Sequence, residues 1–343
     1  MTSITASPSL STPYPRLVAD VGGTNARFGW ISAPAQPISH VRALPTAEHA
    51  TLVDAARAYL SIEALPAPAA MAMGIANPVN GDEVRMTNHH WAFSISAMQA
   101  ELGLQRLQVL NDFTALALSL PSLQPAQLRQ IGGGAAQPNR PMALLGPGTG
   151  LGVSGLLPAG EQWIPLAGEG GHVTLAAADE REAAVLTALR ERFGHVSAER
   201  AVSGSGLVNL LEAVTSLRRL RTDVSKMTPA NLTACALGAS EARQRGMDVH
   251  GLDAACLEAL QHFCAFLGNV AGNLALTLGA FGGVYIGGGI VPRLGDFFER
   301  SRFRDRFEAK GRFNGYLSTI PVYVINANVS PALEGAARSL DQA

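Results

Sequence analysis

Cysteine is scarce in this sequence. Cys235, Cys256 and Cys264 are far apart or at helical spacing, and form neither a CxxC pair nor a zinc-ligand pattern. So sparse and odd a set fits a reducing cytoplasm. Charge of one sign is also missing. The net charge is -1 and no basic stripe runs along the chain, which excludes nucleic acid as the main partner. The longest apolar runs are broken by glycine, so no membrane span and no membrane partner are expected. Met1–Pro15 lacks a basic n-region and a long apolar stretch, which argues against a signal peptide. Its Ser, Thr and Pro content predicts a flexible tail over residues 1–13. The Asn-x-Ser/Thr sequences at Asn231 and Asn328 then carry no glycosylation meaning. There is no Walker A sequence and no protein-kinase catalytic loop.

What is abundant is apolar residues and glycine. Of 343 residues, 47% are hydrophobic and 36 are Gly. That length exceeds what one core serves, so two lobes are expected. Strands are predicted at Arg16–Asp20, Asn25–Ser32, His40–Leu44, Ala69–Ile75 and Leu107–Leu110. Leu52, Val53, Ala56, Tyr59 and Leu60 share one face of a helix over Thr51–Leu60. Asn80-Gly81 is read as a hairpin turn, and Ser94 and Ser96 as candidate helix caps. Leu123–Arg140, rich in Gln, Pro and Gly, is read as a connection.

After that connection the opening pattern returns. Met142–Leu145, Gly146–Gly150 and Leu151–Leu157 repeat the strand, glycine turn and strand of Leu17–Ile31. Helices are expected at Glu180–Phe193 and Leu252–Leu278, strands at Val284–Ile286 and Pro321–Ile325, and a last helix at Ala332–Leu340. The order predicts α/β layers and a duplicated fold with a cleft between lobes.

Six segments carry candidate chemistry. Asp20-Val21-Gly22-Gly23-Thr24-Asn25 is a glycine turn whose N–H groups can make an anion nest, with positive φ open to its glycines and Asp20 able to hold Mg²⁺ through water. For this turn taken alone a plain hairpin turn is the favoured reading, since glycine-rich hairpins are common. Gly146-Pro147-Gly148-Thr149-Gly150-Leu151-Gly152 has the same physics. Two such turns, one per half, fit two loops gripping one polyphosphate. The formal Gly150-x-Gly152-x-x-Gly155 dinucleotide fingerprint is discounted, because a strand rather than a helix is predicted after it. Asp112, in Leu110-Asn111-Asp112-Phe113-Thr114, sits where a strand meets a helix. It is either an N-cap or a carboxylate that takes the proton of a hydroxyl attacking phosphorus, and position alone leaves both open. Asn111 beside it can donate to and accept from sugar hydroxyls.

Gly168-Glu169-Gly170-Gly171-His172 presents a carboxylate and an imidazole on a glycine-rich loop, suited to adjacent hydroxyls. A solvated loop is the alternative. Glu199, in Gly194-His195-Val196-Ser197-Ala198-Glu199-Arg200, reads on spacing as an ordinary exposed residue. Gly287-Gly288-Gly289 follows a buried strand and suits either a flat ring against the backbone or a tight turn.

Together these stretches resemble the bacterial, hexokinase-like glucokinases of the actin/Hsp70/sugar-kinase superfamily. Leu17–Arg27, Met86–Ser94, Asn111–Ala115, Gly148–Gly152, Gly168–Val173, Gly194–Arg200 and Gly287–Pro292 carry the resemblance, in order, over nearly the whole chain. It implies a two-lobed actin-like fold of duplicated ribonuclease-H-like domains. A smaller lobe would comprise 14–122 plus 329–343, and a larger one 123–328. The activity implied is transfer of the γ-phosphoryl of ATP, with Mg²⁺, to the 6-hydroxyl of glucose in glycolysis, by a cytoplasmic homodimer. Ala19, Asp20, Val21, Gly22, Gly23 and Thr24, with Gly148, Thr149 and Gly150, would bind the ATP phosphates. Gly287, Gly288 and Gly289 would lie at the adenosine. Asp112 would be the base, and Asn88, Asn111, Asp112, Glu169, His172 and Glu199 would bind the sugar. The chain departs from the pattern at Pro147, where a small residue is often found, and in its tail before Arg16. It lacks the Cys-rich loop and N-terminal helix-turn-helix of repressor-type relatives. A sugar sensor, a dehydrogenase and a carboxylate kinase are the competing readings.

Overall fold

The computed structural model describes residues 12–87, 89–326 and 331–342. Within them the chain forms two compact units. One comprises the described residues up to Leu123, Ala159–Ala167 and the C-terminal helix; the other comprises Gln124–Pro158 and Gly168–Asn326.

In the first unit, β1 (Arg16–Val21) and β2 (Asn25–Ile31) make an antiparallel hairpin, and β3 (Ser39–Pro45) extends it. A capping box between Thr51 and Asp54 opens α1 (Leu52–Ile62). β4 (Ala70–Ile75) then pairs parallel with β1. A small hairpin of β5 (Glu83–Arg85) and β6 (Ala92–Ser94) leads into α2 (Ile95–Glu101), capped by Ser94. β7 (Arg106–Asn111) pairs parallel with β4 and runs straight into α3 (Asp112–Ser119). The sheet order is β3–β2–β1–β4–β7. Every residue of β4 is buried, as a central strand covered on both faces requires. Leu17, Phe28, Tyr59, Met71, Met73 and Trp91 anchor the core.

Asn80-Gly81 does not join paired strands. β4 already has β1 and β7 on its two edges, which leaves no edge for a hairpin partner, so the turn precedes β5 instead. Ser96 is not a cap either; its hydroxyl and its N–H both donate to the Asp82 carboxylate.

The second unit opens with β8 (Leu128–Gln130), β9 (Met142–Pro147) and β10 (Leu151–Ala159). β11 (Gln162–Leu166) belongs with the first unit and packs on α3. Then come α4 (Glu180–Phe193), α5 (Gly204–Leu217), α6 (Pro229–Gln244), α7 (Gly251–Leu278), β12 (Val284–Ile286), α8 (Asp296–Glu299), α9 (Phe303–Glu308), α10 (Asn314–Ser318) and β13 (Val322–Ile325). α11 (Pro331–Ser339) returns to the first unit. Within the second unit the strands run β10–β9–β12–β13–β8. β9, β12 and β13 are parallel, and β10 is antiparallel to β9. The plan of the first unit is thus repeated: a hairpin whose first strand collects parallel partners. This is the actin-like two-domain fold.

Three elements go beyond the sequence reading. β8 lies inside the stretch taken for a connection, because a strand this short shows no period; it is paired to β13 at the sheet edge. α5 begins Gly-Ser-Gly, poor helix formers, yet Ser203 caps it by accepting from Gly206 N at 2.9 Å. α6 buries only Leu232, Ala236 and Ala239, too few for a visible apolar stripe. α7 is buried over most of its length, and Gly268 and Gly272 let α9 lie against it; a Cβ there would stand 2.2 Å from Phe303 O and 2.5 Å from Phe307 O.

Candidate active site

In the first unit the carboxyl ends of β1, β4 and β7 lie side by side, with Asp20 level with Gly74 and Ile75 level with Asn111. Ligands of open α/β sheets collect at such ends. The turn after β1 is closed by Gly22 N donating to Asn25 O at 3.0 Å. Thr46 braces its flank, with N–H to Thr24 O and hydroxyl to Gly23 O. Among the described residues, the N–H groups of Gly23 and Thr24 make no hydrogen bond. Ala19 and Val21 point their side chains into the core. Gly22 does not adopt positive φ, so its left-handed freedom is not what the turn uses.

Asn111, not Asp112, is the cap of α3. Its Oδ1 accepts from Phe113 N at 2.9 Å and Thr114 N at 3.3 Å. The helix takes up that acceptor, and Nδ2 donates to Asn77 O at 3.4 Å. Asp112 is the first helical residue, released from capping. Gly74 lets the helix sit low on β4, since a Cβ there would meet Ala115 Cβ at 3.0 Å and Asp112 Cα at 3.4 Å. Burial pushes the Asp112 carboxyl up to about 6; the hydrogen bond from Phe113 N opposes the rise and the Asp20 charge adds to it. A carboxylate that titrates there can accept a proton efficiently near neutral pH.

In the second unit the turn between β9 and β10 has the same build. Gly148 N donates to Gly150 O at 2.8 Å, while Thr149 and Gly150 N–H make no hydrogen bond among the described residues. Positive φ is again absent at Gly148 and Gly150. Gly152 and Gly155 lie within β10, which no helix follows directly, so the dinucleotide fingerprint has no structural setting. Gly287 N donates to Leu145 O at 2.9 Å, and Gly288, at φ +76°, lies where a Cβ would stand 2.4 Å from Pro147 O. The glycine triplet therefore runs directly against the carboxyl end of β9.

Glu169 and His172 flank one tight turn, in which His172 N donates to Glu169 O at 3.0 Å, and both side chains are exposed. The glycines between them seat this turn on β10: a Cβ at Gly171 would stand 2.1 Å from Leu151 O. Glu199 reaches the same residue from the other side, where its Oε2 accepts from Leu151 N at 2.8 Å. The two segments are tied by Ala198 N donating to Val173 O at 2.9 Å. Gly148–Gly150, Glu169–His172 and Glu199 thus gather around Leu151.

Asn88 lies outside the described residues. Asn77 is the residue that sequence reasoning missed. It is buried, its Oδ1 accepts from Thr87 N at 3.0 Å, and its carbonyl accepts from Asn111. The available signal was a polar residue followed by Pro directly after a wholly apolar strand. Thr46, the brace of the first turn, carried no signal at all.

A family model for glucokinase matches residues 17–343. The chain is 58% identical to a glucokinase of Aromatoleum aromaticum, over 97% of its own length and 96% of that protein's. To a glucokinase of Chromobacterium violaceum it is 53% identical, over 97% and 91%. The crystal structure of a glucokinase from an Antarctic psychrotroph matches with a TM-score of 0.83 and 35% identity, covering 96% of this chain and 99% of that one.

Proposed function

The chain belongs to the glucokinase family, and from that premise we propose how its residues divide the work. The enzyme is an ATP-dependent hexose kinase that transfers the γ-phosphoryl of ATP to the 6-hydroxyl of glucose. Asp112 accepts the proton of that hydroxyl as it attacks. Glu169, His172, Glu199 and Asn88 hold the sugar, joined by the amide N–H of Asn111. The turns Asp20–Thr24 and Gly148–Gly150 hold the phosphates through the N–H groups of Gly23, Thr24, Thr149 and Gly150. Gly287–Gly289 lies at the adenosine. The observation that carries the base assignment is the Asp112 carboxyl, uncapped at the start of α3 and raised to about 6.

Mg²⁺ enters with the ATP. Such an ion keeps most of its waters and needs few protein ligands, which fits the Asp20–Thr24 turn, where the Asp20 carboxylate sits beside open N–H groups. It would offset phosphate charge; positioning the two substrates falls to the chain itself. The enzyme works in the cytoplasm, where ATP is supplied, and as a homodimer, which light scattering at assay concentration checks.

The test is phosphoryl transfer with Mg-ATP and a sugar panel, following ADP and sugar phosphate separately. Glucose should be preferred and should yield glucose 6-phosphate. Glu169→Gln should raise the glucose KM with a smaller effect on kcat. ADP release without sugar phosphate would overturn the reading.

A further inference from the structure

The loop from Gly148 to Leu151 is gripped at both ends by one segment, Glu199–Gly206. At the far end, Glu199 Oε2 accepts from Leu151 N at 2.8 Å. At the near end, Gly204 N donates to Gly148 O at 2.8 Å. The segment is itself stiffened, because Ser203 Oγ donates to Glu199 O at 2.8 Å and accepts from Gly206 N at 2.9 Å. Gly150 is shaped by the same contact: a Cβ there would stand 2.5 Å from Glu199 Oε2. Every contact here lies within the second unit.

We infer that Glu199 is a positioning residue for the nucleotide, holding the phosphate loop in its open-N–H form through Leu151, in addition to any role at the sugar. The inference rests on the reading of Gly148–Gly150 as a phosphate loop. The physical reason is local. Leu151 is the first residue of β10, and its N–H is taken by a carboxylate. A charged acceptor holds such a donor more firmly than a neutral one. With the anchor in place, Thr149 and Gly150 N–H groups stay preorganised toward a ligand, and less ordering remains to be done on binding. Among the described residues Glu199 Oε1 makes no hydrogen bond, so a sugar hydroxyl and the phosphate loop can share one carboxylate. Glu199 then links acceptor site to nucleotide site.

The experiment is calorimetric titration of the full enzyme with ADP, without sugar, for wild type, Glu199→Ala, Glu199→Gln and Gly148→Val. Thermal melting checks that each variant is folded. Glu199→Ala should weaken ADP binding at least about tenfold, the low end for losing a hydrogen bond to a charged group. Glu199→Gln keeps an acceptor for Leu151 N–H, though a neutral and weaker one, so it should lose less than Ala and stay within about fivefold of wild type. Gly148 has open space around its Cβ position, so valine is accommodated by the protein but obstructs a phosphate, and ADP binding should be lost. If Gly148→Val abolishes binding while Glu199→Ala leaves it intact, the anchor is refuted and the phosphate-loop reading survives. If Gly148→Val also binds normally, the phosphate-loop reading itself falls. If Gln fails as fully as Ala, the hydrogen bond to Leu151 is not the cause and the proposal is overturned. Glucose titrated alone into the same variants separates the sugar role from the loop role.

Discussion

Asp112→Asn should leave the enzyme more stable and nearly inactive. Burial is the main reason the Asp112 carboxyl rises from 3.8 to about 6, so the fold prefers its protonated form. Below about pH 3.8 folded and unfolded chains both carry the proton, and ionisation costs nothing. Between about pH 3.8 and 6 the unfolded carboxyl gives up its proton while the folded one keeps it, so stability falls across that window and the loss is complete once pH has risen through the folded value. At about 1.4 kcal/mol per pH unit the full loss is about 3 kcal/mol above pH 7, and about half of that at pH 5. An amide at 112 never ionises and escapes the loss. With about 2.1 cal/mol/K per residue, 343 residues melting as one would gain about 4 °C at pH 8. Turnover should fall at least about 100-fold, the low end for loss of a general base. Wild-type kcat/KM should decline below pH about 6 as the base is protonated. Scanning calorimetry at pH 5 and pH 8, with coupled ADP release, makes the measurement. A variant that melts below wild type at pH 8 refutes the buried-charge reasoning. A stable variant with near-normal turnover removes Asp112 from the chemistry.

Two further predictions concern the scaffold. A Cβ at Gly335 would stand 1.6 Å from Ala115 O, so Gly335→Ala must push α11 away from α3. It should cost about 1–3 kcal/mol and lower kcat, because α3 carries Asp112; an unchanged melting midpoint would show that the helices do not need this contact. Glu258 stands apart from the site. Burial alone would raise its pKa, but His262, Arg218 and Arg181 hold it down to about 2. Its stability contribution is complete above about pH 4.5 and disappears as pH falls toward 2. Glu258→Gln should therefore cost about 2–3 kcal/mol at neutral pH, with the two melting curves converging in acid; a constant difference across pH would contradict the ion-pair account.

The sequence by itself determined the two hairpins, most strand positions and the family. Glycine turns between apolar strands are local events, written in a few consecutive residues. The Gly22–Thr24 and Gly148–Gly150 turns, the meeting of β7 with α3 and the long α7 were all legible on those grounds. Tertiary structure decided which of several chemically able groups is free to act. Asn111 and Asp112 are equally good caps on paper, and only the geometry at the end of β7 gives the cap to Asn111. The elevated pKa of Asp112 comes from burial and from Asp20, which is remote in sequence and brought near by β4 lying between β1 and β7. Glu199 reads as a surface residue on spacing, because its partner, Leu151, is 48 positions away. Asn77 and Thr46 stayed hidden for the same reason. Their bonds to Thr87, Asn111, Gly23 and Thr24 join residues far apart in the chain, and periodicity reports only what the chain does locally.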